Sequence, residues 1–524
     1  MNQRQRFIRK IVYACVIAAL LLPLAWLSQP ETTESTGGRL AQLRNQYQLG
    51  QAQLGDIDPA SETIKLATLG MRGVAANLLW EKANQYRRNE DWVNLSATLE
   101  QIAKLQPNFV SVWIFQGWNL SYNISVEFDD YRDRYYWVIK GIDFLKEGTQ
   151  YNRDEPRLLS KIGYQISQKI GRADEHLQFR KLFREDDEFN GALPRTQRDN
   201  WLVGRGWHLK AEEVVARGTP IRGEAPLLFY SHPVMCLVNY AEALEEEGTF
   251  GEVAKNAWRK AADAWSEYAK RDLPTQYNLF IRLGDKESYD ERSQAAQAEL
   301  ERLAPGVREK ARAELLAALT DEERAVYDTP QKDRTNEQNQ LMHQIDSKMT
   351  ITHLDLADRV EGENRAAALK AAEEATFADE MSNAIDIERG IVNYDYWRLR
   401  CEIEPNDDTL EARKLIYDAD QAFTSAQLVT AAEKYSQGFT KWRQVIDSRP
   451  ILITDANLTD ELAASIEHYR SVVHQLDEKF PAPFVLQDVL DAHYRTTGTG
   501  VPVKGESSSG KTEAKAGEES KSAP

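Results

Sequence analysis

Apolar residues in the first third of this chain follow the spacing of amphipathic helices, and short breaks interrupt them at regular intervals. From Ser61 onward, apolar side chains recur every three or four residues, which is typical of a half-buried helix. Residues 89–91 break the pattern, and a second helix is predicted from Trp92 to Leu105. Pro107 ends that helix, because the residue before a proline is driven out of the α region. The pattern therefore predicts helical hairpins.

This helix–turn–helix rhythm resembles the tetratricopeptide (TPR) repeat, which has a period of 34 residues. With Pro107 at the closing proline of the repeat, further positions carry residues of the expected type: Tyr86, Leu95, Leu99, Ile102, Trp113 and Gly117. Leu95 and Ile102 replace the small alanines that the repeat usually has. Lys82 and Gln116 stand where leucine is usual. The resemblance implies an all-α, TPR-like helical-hairpin array, that is, an α-solenoid.

One repeat is longer than this period allows. Pro156 follows Pro107 by 49 residues, about fifteen more than the period of 34. The small–large–small spacing expected of a second repeat helix recurs at three positions: Gly141, Leu145 and Gly148. That assignment places most of the extra residues in an insertion from Asn123 to Arg134, where a standard repeat has a short turn.

Acidic, aromatic and basic side chains are interleaved in this insertion and just before it. We predict that they form a partner-binding site made of Trp118, Tyr122, Glu127, Asp129, Asp130, Tyr131, Arg132 and Arg134. Trp118 and Tyr122 are four residues apart and therefore share a helix face. Two other interpretations stay open for the carboxylates. They supply helix caps and local ion pairs in a solvated loop, or they serve as an acid/base pair or as cation ligands.

The N-terminus predicts a membrane anchor. The first ten residues carry four basic side chains and no acid, and residues 11–27 form an uncharged apolar run close to the length of a spanning helix. A cleaved signal peptide is the alternative, but the residues after the run offer no convincing cleavage site. We favour an uncleaved signal anchor. The basic flank then stays in the cytoplasm and the body lies on the periplasmic side of a bacterial inner membrane.

Composition changes along the chain predict its division into segments. Glycine and proline concentrate between residues 190 and 232, aromatic residues become scarce from about 290 to 385, and none follows Tyr494. The predicted segments are the basic flank and anchor (1–28), a flexible spacer (29–60), aromatic-rich TPR-like repeats (61–190), a Gly/Pro joint with a helical hairpin (191–289), a charged helical segment (290–400), a C-terminal helical hairpin and cap (401–480) and a disordered tail (481–524).

Specific helices are predicted within the last segments. Strongly helix-prone stretches run from Ser293 to Leu303 and from Val307 to Leu319. A hairpin is predicted from Leu410 to Phe423 and from Ala426 to Asp447, followed by a capping helix from Asp460 to Phe480.

No motif in the chain specifies a reaction. Walker A, HExxH, G-x-S-x-G and Glu-x-x-His patterns are absent in fitting contexts, so we predict no catalytic residue, no metal site, no cofactor and no enzymatic activity. The formal charge of −17 disfavours nucleic acid as a partner, because phosphate binding needs a positive face. The oligomeric state cannot be predicted from this sequence.

The aromatic region also resembles uncharacterised, membrane-anchored planctomycete proteins in the segments NLLWEKANQYRRNEDW and FDDYRDRYYW. This resemblance covers roughly residues 60–190 and implies a bacterial envelope protein. Together these features predict a membrane-anchored, non-enzymatic scaffold that binds a protein or peptide partner. A glycan-binding or glycan-processing module that uses the insertion 123–134 is the alternative. A third hypothesis is an assembly subunit of a larger complex at the inner membrane.

Overall fold

The computed structural model describes residues 72–275 and 279–497, together with Gln42. Within these residues the chain is all-α, apart from two strands of two residues each. It divides into two compact units, Met1–Glu224 and Ala225–Pro524. The division falls inside the segment 191–289 that composition assigns to a joint and a hairpin. The predicted membrane helix, the spacer apart from Gln42, and residues 498–524 lie outside the described residues.

Unit one, over its described residues, is a series of helices joined by short turns. They are α1 (Arg72–Arg88), α2 (Trp92–Leu105), α3 (Val110–Trp118), α4 (Tyr131–Tyr151), α5 (Pro156–Tyr164), α6 (His176–Glu185), α7 (Asp187–Asn190) and α8 (Asn200–Ala216). Two of them continue into π-helical turns: α3 into Asn119–Ile124 and α5 into Gln165–Lys169. Single 3₁₀ turns lie at Ser125–Glu127 and Arg195–Gln197.

The second helix has the predicted bounds, Trp92–Leu105. Asp91 caps its start by accepting a hydrogen bond from the Asn94 backbone N–H at 3.2 Å, which satisfies one of the free donors of the first turn. The helix stops just before Pro107, as the proline requires. Its apolar side chains Leu95, Leu99 and Ile102 are fully buried.

Small residues let α3 and α4 pack closely. A Cβ on Gly117 would overlap the Leu145 side chain, and a Cβ on Gly148 would overlap the Trp113 indole. Trp113 is buried, and its Nε1 donates to the Pro107 carbonyl at 2.8 Å. The residues that the spacing pattern selected on the two helices therefore meet in the core of this unit, in the small-against-large arrangement expected of them.

The predicted insertion Asn123–Arg134 is not an extended loop between helices. Helix α3 runs on through the π turn and the 3₁₀ turn to Glu127, and α4 already begins at Tyr131. Ser125 Oγ donates to the Ser121 carbonyl at 2.6 Å within this continuation. Only residues 128–130 lie outside helical structure, so most of the extra residues lengthen the two helices.

Unit two, over its described residues, contains the remaining helices and one short antiparallel ladder. The helices are α9 (Pro226–Glu246), α10 (Glu252–Ala269), α11 (Lys286–Leu303), α12 (Val307–Ala318), α13 (Asp321–Asp328), α14 (Asn336–Met349), α15 (His353–Asp358), α16 (Arg365–Ile391), α17 (Tyr394–Ile403), α18 (Asp407–Thr424), α19 (Leu428–Ser448), α20 (Ala456–Gln475) and α21 (Gln487–Thr497). Strand β1 (Leu273–Pro274) pairs with β2 (Phe280–Ile281). The 3₁₀ turns are Leu283–Asp285, Gln331–Asp333, Gly362–Asn364 and Pro450–Thr454.

The charged middle of the chain is helical where the sequence predicts it. Helices α11 and α12 cover the predicted stretches 293–303 and 307–319, and both remain largely exposed. Alanines provide much of the buried surface here, since α16 buries Ala368, Ala372 and Ala375. The segment therefore folds on a thin core of small side chains.

The C-terminal helices form a compact aromatic core. Tyr435, Phe439 and Trp442 of α19 are buried against α18 and α20. Helices α18 and α19 match the predicted hairpin within three residues at each end, whereas α20 starts four residues before the predicted capping helix and ends five residues short of Phe480. The disordered tail predicted from residue 481 starts too early. Residues 487–497 form α21, because Val489 and Leu490 bury fully in this core.

A membrane span requires a long apolar helix, and within the described ranges no helix has the necessary length and apolar character.

Candidate functional site

A solvent-accessible groove lined by aromatic side chains lies beside the end of α3 in unit one. It has a volume of about 370 Å³ and is lined by Trp80, Ser111, Ile114, Phe115, Trp118, Tyr122, Arg157, Lys161, Tyr164 and Gln165. The Trp118 side chain is 43% exposed and Tyr164 is 39% exposed. Contiguous exposed aromatic side chains are typical of surfaces that bind a partner or a ligand. We name this surface the aromatic groove.

Two of the eight predicted site residues, Trp118 and Tyr122, belong to this groove. Their rings are nearly parallel, with centroids 5.9 Å apart and an interplanar angle of 17°. Trp118 closes α3, and Tyr122 lies in the π turn that continues it. The predicted pairing of these residues on one helix face is therefore confirmed.

Helix α5 forms the opposite wall. Arg157, Lys161 and Tyr164 are spaced by four and three residues, so they share one face of the helix. Pro156 starts the helix, and the Glu155 carboxylate accepts from the Arg157 backbone N–H at 3.3 Å. Sequence reasoning missed this wall. The spacing of the three residues was available as a signal, but nothing in the sequence indicated which helix α5 faces.

The rim of the aromatic groove is positively charged. Among the described residues, neither Arg157 nor Lys161 has a carboxylate oxygen within salt-bridge distance. Lys161 Nζ lies 5.3 Å from the centroid of the Tyr164 ring, and Lys169 Nζ lies 4.6 Å from that of Tyr122. Burial lowers the pKa of Lys169 and raises the pKa of the Tyr122 phenol. The groove thus combines aromatic faces with cations inside a chain of net negative charge.

The acidic members of the predicted site lie outside the aromatic groove, and two of the three have hydrogen-bond partners of their own. Glu127 accepts a hydrogen bond from Trp92 Nε1 at 3.1 Å. Asp130 caps α4 by accepting from the Arg132 backbone N–H at 2.7 Å. Asp129 is exposed. None of these three carboxylates lines the aromatic groove.

The basic and phenolic members are also held locally. The Arg132 guanidinium lies 4.6 Å from the centroid of the Tyr131 ring. Arg134 donates to the Phe128 carbonyl and forms an ion pair with Glu175. The structure therefore brings Trp118 together with Tyr122 and separates both of them from the six other predicted residues.

A buried ionic network occupies the core of unit two. Arg413 contacts Glu404 at 2.5 Å, Glu461 at 2.5 Å and Glu245 at 3.7 Å. Arg400 Nε lies 3.0 Å from Glu404, which is completely buried. Charged groups of both signs satisfy one another here, as buried charges must. Because these charges pair with one another inside the fold, we interpret the network as stabilising unit two.

Glu245 is expected to make unit two less stable as the pH rises. Burial first, and then the Glu404 carboxylate, raise its pKa from 4.5 to about 7. The folded chain therefore holds this proton more tightly than the unfolded chain. The stabilisation is full below about pH 4.5 and is lost as the pH rises through about 7. In urea unfolding of the purified chain, Glu245→Gln should flatten the pH dependence over this window. An equal slope in both proteins would contradict the assignment.

One set of side chains has the residue types of a nucleophilic triad but not its order. Asp379 accepts from the Ser293 hydroxyl and lies 2.8 Å from His353 Nε2. In a working triad the imidazole stands between the hydroxyl and the carboxylate, where it takes the hydroxyl proton. Here the carboxylate stands between the other two, so His353 does not activate Ser293.

The cysteines and potential metal ligands add no reactive centre. Cys236 and Cys401 are buried and not bonded to each other, and burial raises the pKa of the Cys401 thiol to about 12. A raised pKa keeps the thiol protonated and unreactive. Over residues 72–275 and 279–497, no cluster of three or more His, Cys, Asp or Glu side chains is placed to hold a metal ion.

Comparison with protein-family models and with curated protein sequences gives no match for this chain. The aromatic groove therefore has to be interpreted from its own geometry.

Proposed function

We propose that this chain is a membrane-anchored, non-enzymatic helical-repeat scaffold that binds a protein or peptide partner in the cell envelope. In this proposal TPR-like hairpins form an array, as the resemblance to TPR and planctomycete proteins implies. One N-terminal helix anchors the array in the bacterial inner membrane, with the body on the periplasmic side. The all-α architecture supports the proposal, because paired helices offer extended surfaces for protein binding.

The observation that carries this proposal is the exposed Trp118 ring, stacked on the half-buried Tyr122 ring in the aromatic groove. Tryptophan, tyrosine and arginine are the residues most enriched where protein interfaces concentrate their binding energy. All three types line this groove, which is open to solvent and is framed by residues of α1, α3 and α5 rather than by mobile loops. A partner therefore meets a surface already held in place.

The glycan-binding or glycan-processing alternative has less support. That alternative requires one site in which the aromatic side chains stack on the sugar rings and the acidic cluster supplies the polar groups. Glu127, Asp129 and Asp130 do not line the aromatic groove, and Arg157 and Lys161 take their place on its rim. A carbohydrate-cleaving site needs two carboxyl groups flanking the bond that breaks. The cationic rim favours an anionic partner instead.

Site-specific photo-crosslinking tests the proposal. With p-benzoyl-phenylalanine in place of Trp118, irradiation of intact cells of the native host should give a discrete protein adduct. The same substitution at Tyr136, which is 53% exposed but outside the groove, is the matched control and should give none. The absence of an adduct at position 118, or identical adducts at both positions, would overturn the proposal.

A further inference from the structure

We propose that the aromatic groove binds an extended acidic peptide segment, with one aromatic side chain on the groove floor and neighbouring carboxylates at Arg157 and Lys161. This inference rests on the proposed function, because it specifies the chemistry of the segment that the scaffold holds. Three properties of the groove support it: its aromatic wall, its unpaired cations and one buried amide.

The aromatic wall presents the Trp118 ring to the ligand. Tyr122 has Lys169 near its ring and Trp118 stacked against it, so it positions Trp118 more than it offers a surface of its own. Phe115 packs against Trp118 with centroids 6.1 Å apart, and Trp80 packs against Phe115 at 6.2 Å. An aromatic ligand side chain gains both burial and ring-to-ring contact on such a wall.

The charges on the rim specify an anion. A guanidinium binds a carboxylate through two parallel hydrogen bonds, and an ammonium binds it as a point charge. Arg157 and Lys161 lie one helical turn apart on α5 and have no acidic partner among the described residues. These two cations therefore form a local positive patch in a chain whose net charge is negative. Such a patch attracts acidic segments and repels basic ones.

A buried amide on the floor favours a peptide over a purely apolar or ionic ligand. Gln165 lines the groove although it is only 4% exposed. The Ser121 hydroxyl lies 3.1 Å from its Oε1 and 3.2 Å from the Val138 carbonyl oxygen. Ser121 can engage one end of this amide, and the other end keeps its hydrogen-bonding capacity for the ligand. A peptide backbone carries both a donor and an acceptor in every unit and can match either end.

Fluorescence polarisation of labelled peptides against the purified full chain tests this inference. The probe is fluorescein-GSEDFEDSG, compared with a basic form (GSKRFKRSG), a neutral form (GSNQFNQSG) and an acidic form without the aromatic residue (GSEDAEDSG). We expect the probe to bind on the order of tenfold more tightly than each comparator, as one or two charge-assisted or aromatic contacts imply. Trp118→Ala should weaken its binding on the order of thirtyfold.

Charge reversal on α5 tests directly whether Arg157 and Lys161 determine the charge preference of the groove. In the double variant Arg157→Glu with Lys161→Glu, the order should invert, so that the basic peptide binds better than the acidic one. The matched control, Arg87→Glu with Lys140→Glu, makes the same charge change on exposed side chains outside the groove and should keep the original order. Circular dichroism confirms that each variant remains helical. An unchanged order in the groove variant would overturn the inference.

Competition experiments distinguish a peptide ligand from other anionic ligands. Inorganic phosphate and phosphatidylglycerol vesicles are expected to displace the probe only weakly. Displacement by either at a concentration comparable to that of unlabelled peptide would overturn the inference in favour of a phosphate or lipid ligand. A crosslinked protein at position 118 without preference for acidic peptides would refute this inference alone. Loss of the crosslink would refute the proposed function as well.

Discussion

Replacing Arg413 by methionine is expected to destabilise unit two by about 3–5 kcal/mol, because the change removes one of the two arginines that neutralise a buried cluster of carboxylates. Arg413 contacts Glu404, Glu461 and Glu245, and Glu404 is completely shielded from water. Methionine fills much of the volume of arginine but returns no charge. Urea unfolding of the purified chain, followed by circular dichroism, measures the loss.

The control for this experiment is an exposed arginine in the same unit. Arg302 forms an ion pair with Glu299 at 2.7 Å, and its side chain is 68% exposed. Exposed pairs contribute little, so Arg302→Met should leave the free energy of unfolding almost unchanged. Similar losses for both variants would show that the network around Arg413 is not the source of the effect.

Replacing Gly141 by alanine is expected to destabilise unit one by about 2 kcal/mol, although alanine is the better helix former. A Cβ at this position would overlap Ser121 Oγ and the Gly117 carbonyl oxygen, so α3 and α4 would have to separate. The same movement would displace Trp118 and Tyr122 and should weaken binding at the aromatic groove.

Gly206 in α8 is the matched control, because a Cβ there meets no atom within 4 Å. Gly206→Ala should therefore stabilise the chain by about 0.5–1 kcal/mol, through helix propensity alone. Thermal and urea unfolding of the two variants should move in opposite directions. A shift of the same sign in both would contradict the close packing of α3 on α4.

Much of the fold could be predicted from local patterns. Helix α2 has the predicted bounds because an Asp cap and a proline mark its two ends. Gly117 and Leu145 meet as their spacing suggests, since small residues mark positions where helices approach closely. The end of the folded chain was predicted wrongly, at residue 481. Val489 and Leu490 lie beyond that point and are buried in the last helix.

The candidate site could be predicted only in part, because its two walls are distant in the sequence. Trp118 and Tyr122 are neighbours on one helical face, so their pairing follows from spacing alone. Arg157 and Lys161 reach them only through the packing of α5 near α3, which no local pattern specifies. The acidic cluster is close in sequence but separate in space. Asp130 starts a new helix, and the chain changes direction there.

The two π-helical turns have a consequence for which side chains the aromatic groove presents. A π turn corresponds to one extra residue accommodated within an α-helix, and it rotates the side chains that follow by about 100°. One such turn contains Tyr122 and the other begins at Gln165, so both adjoin the same groove. Deleting one residue from either turn would restore a regular helix and rotate the side chains beyond the deletion by about the same angle.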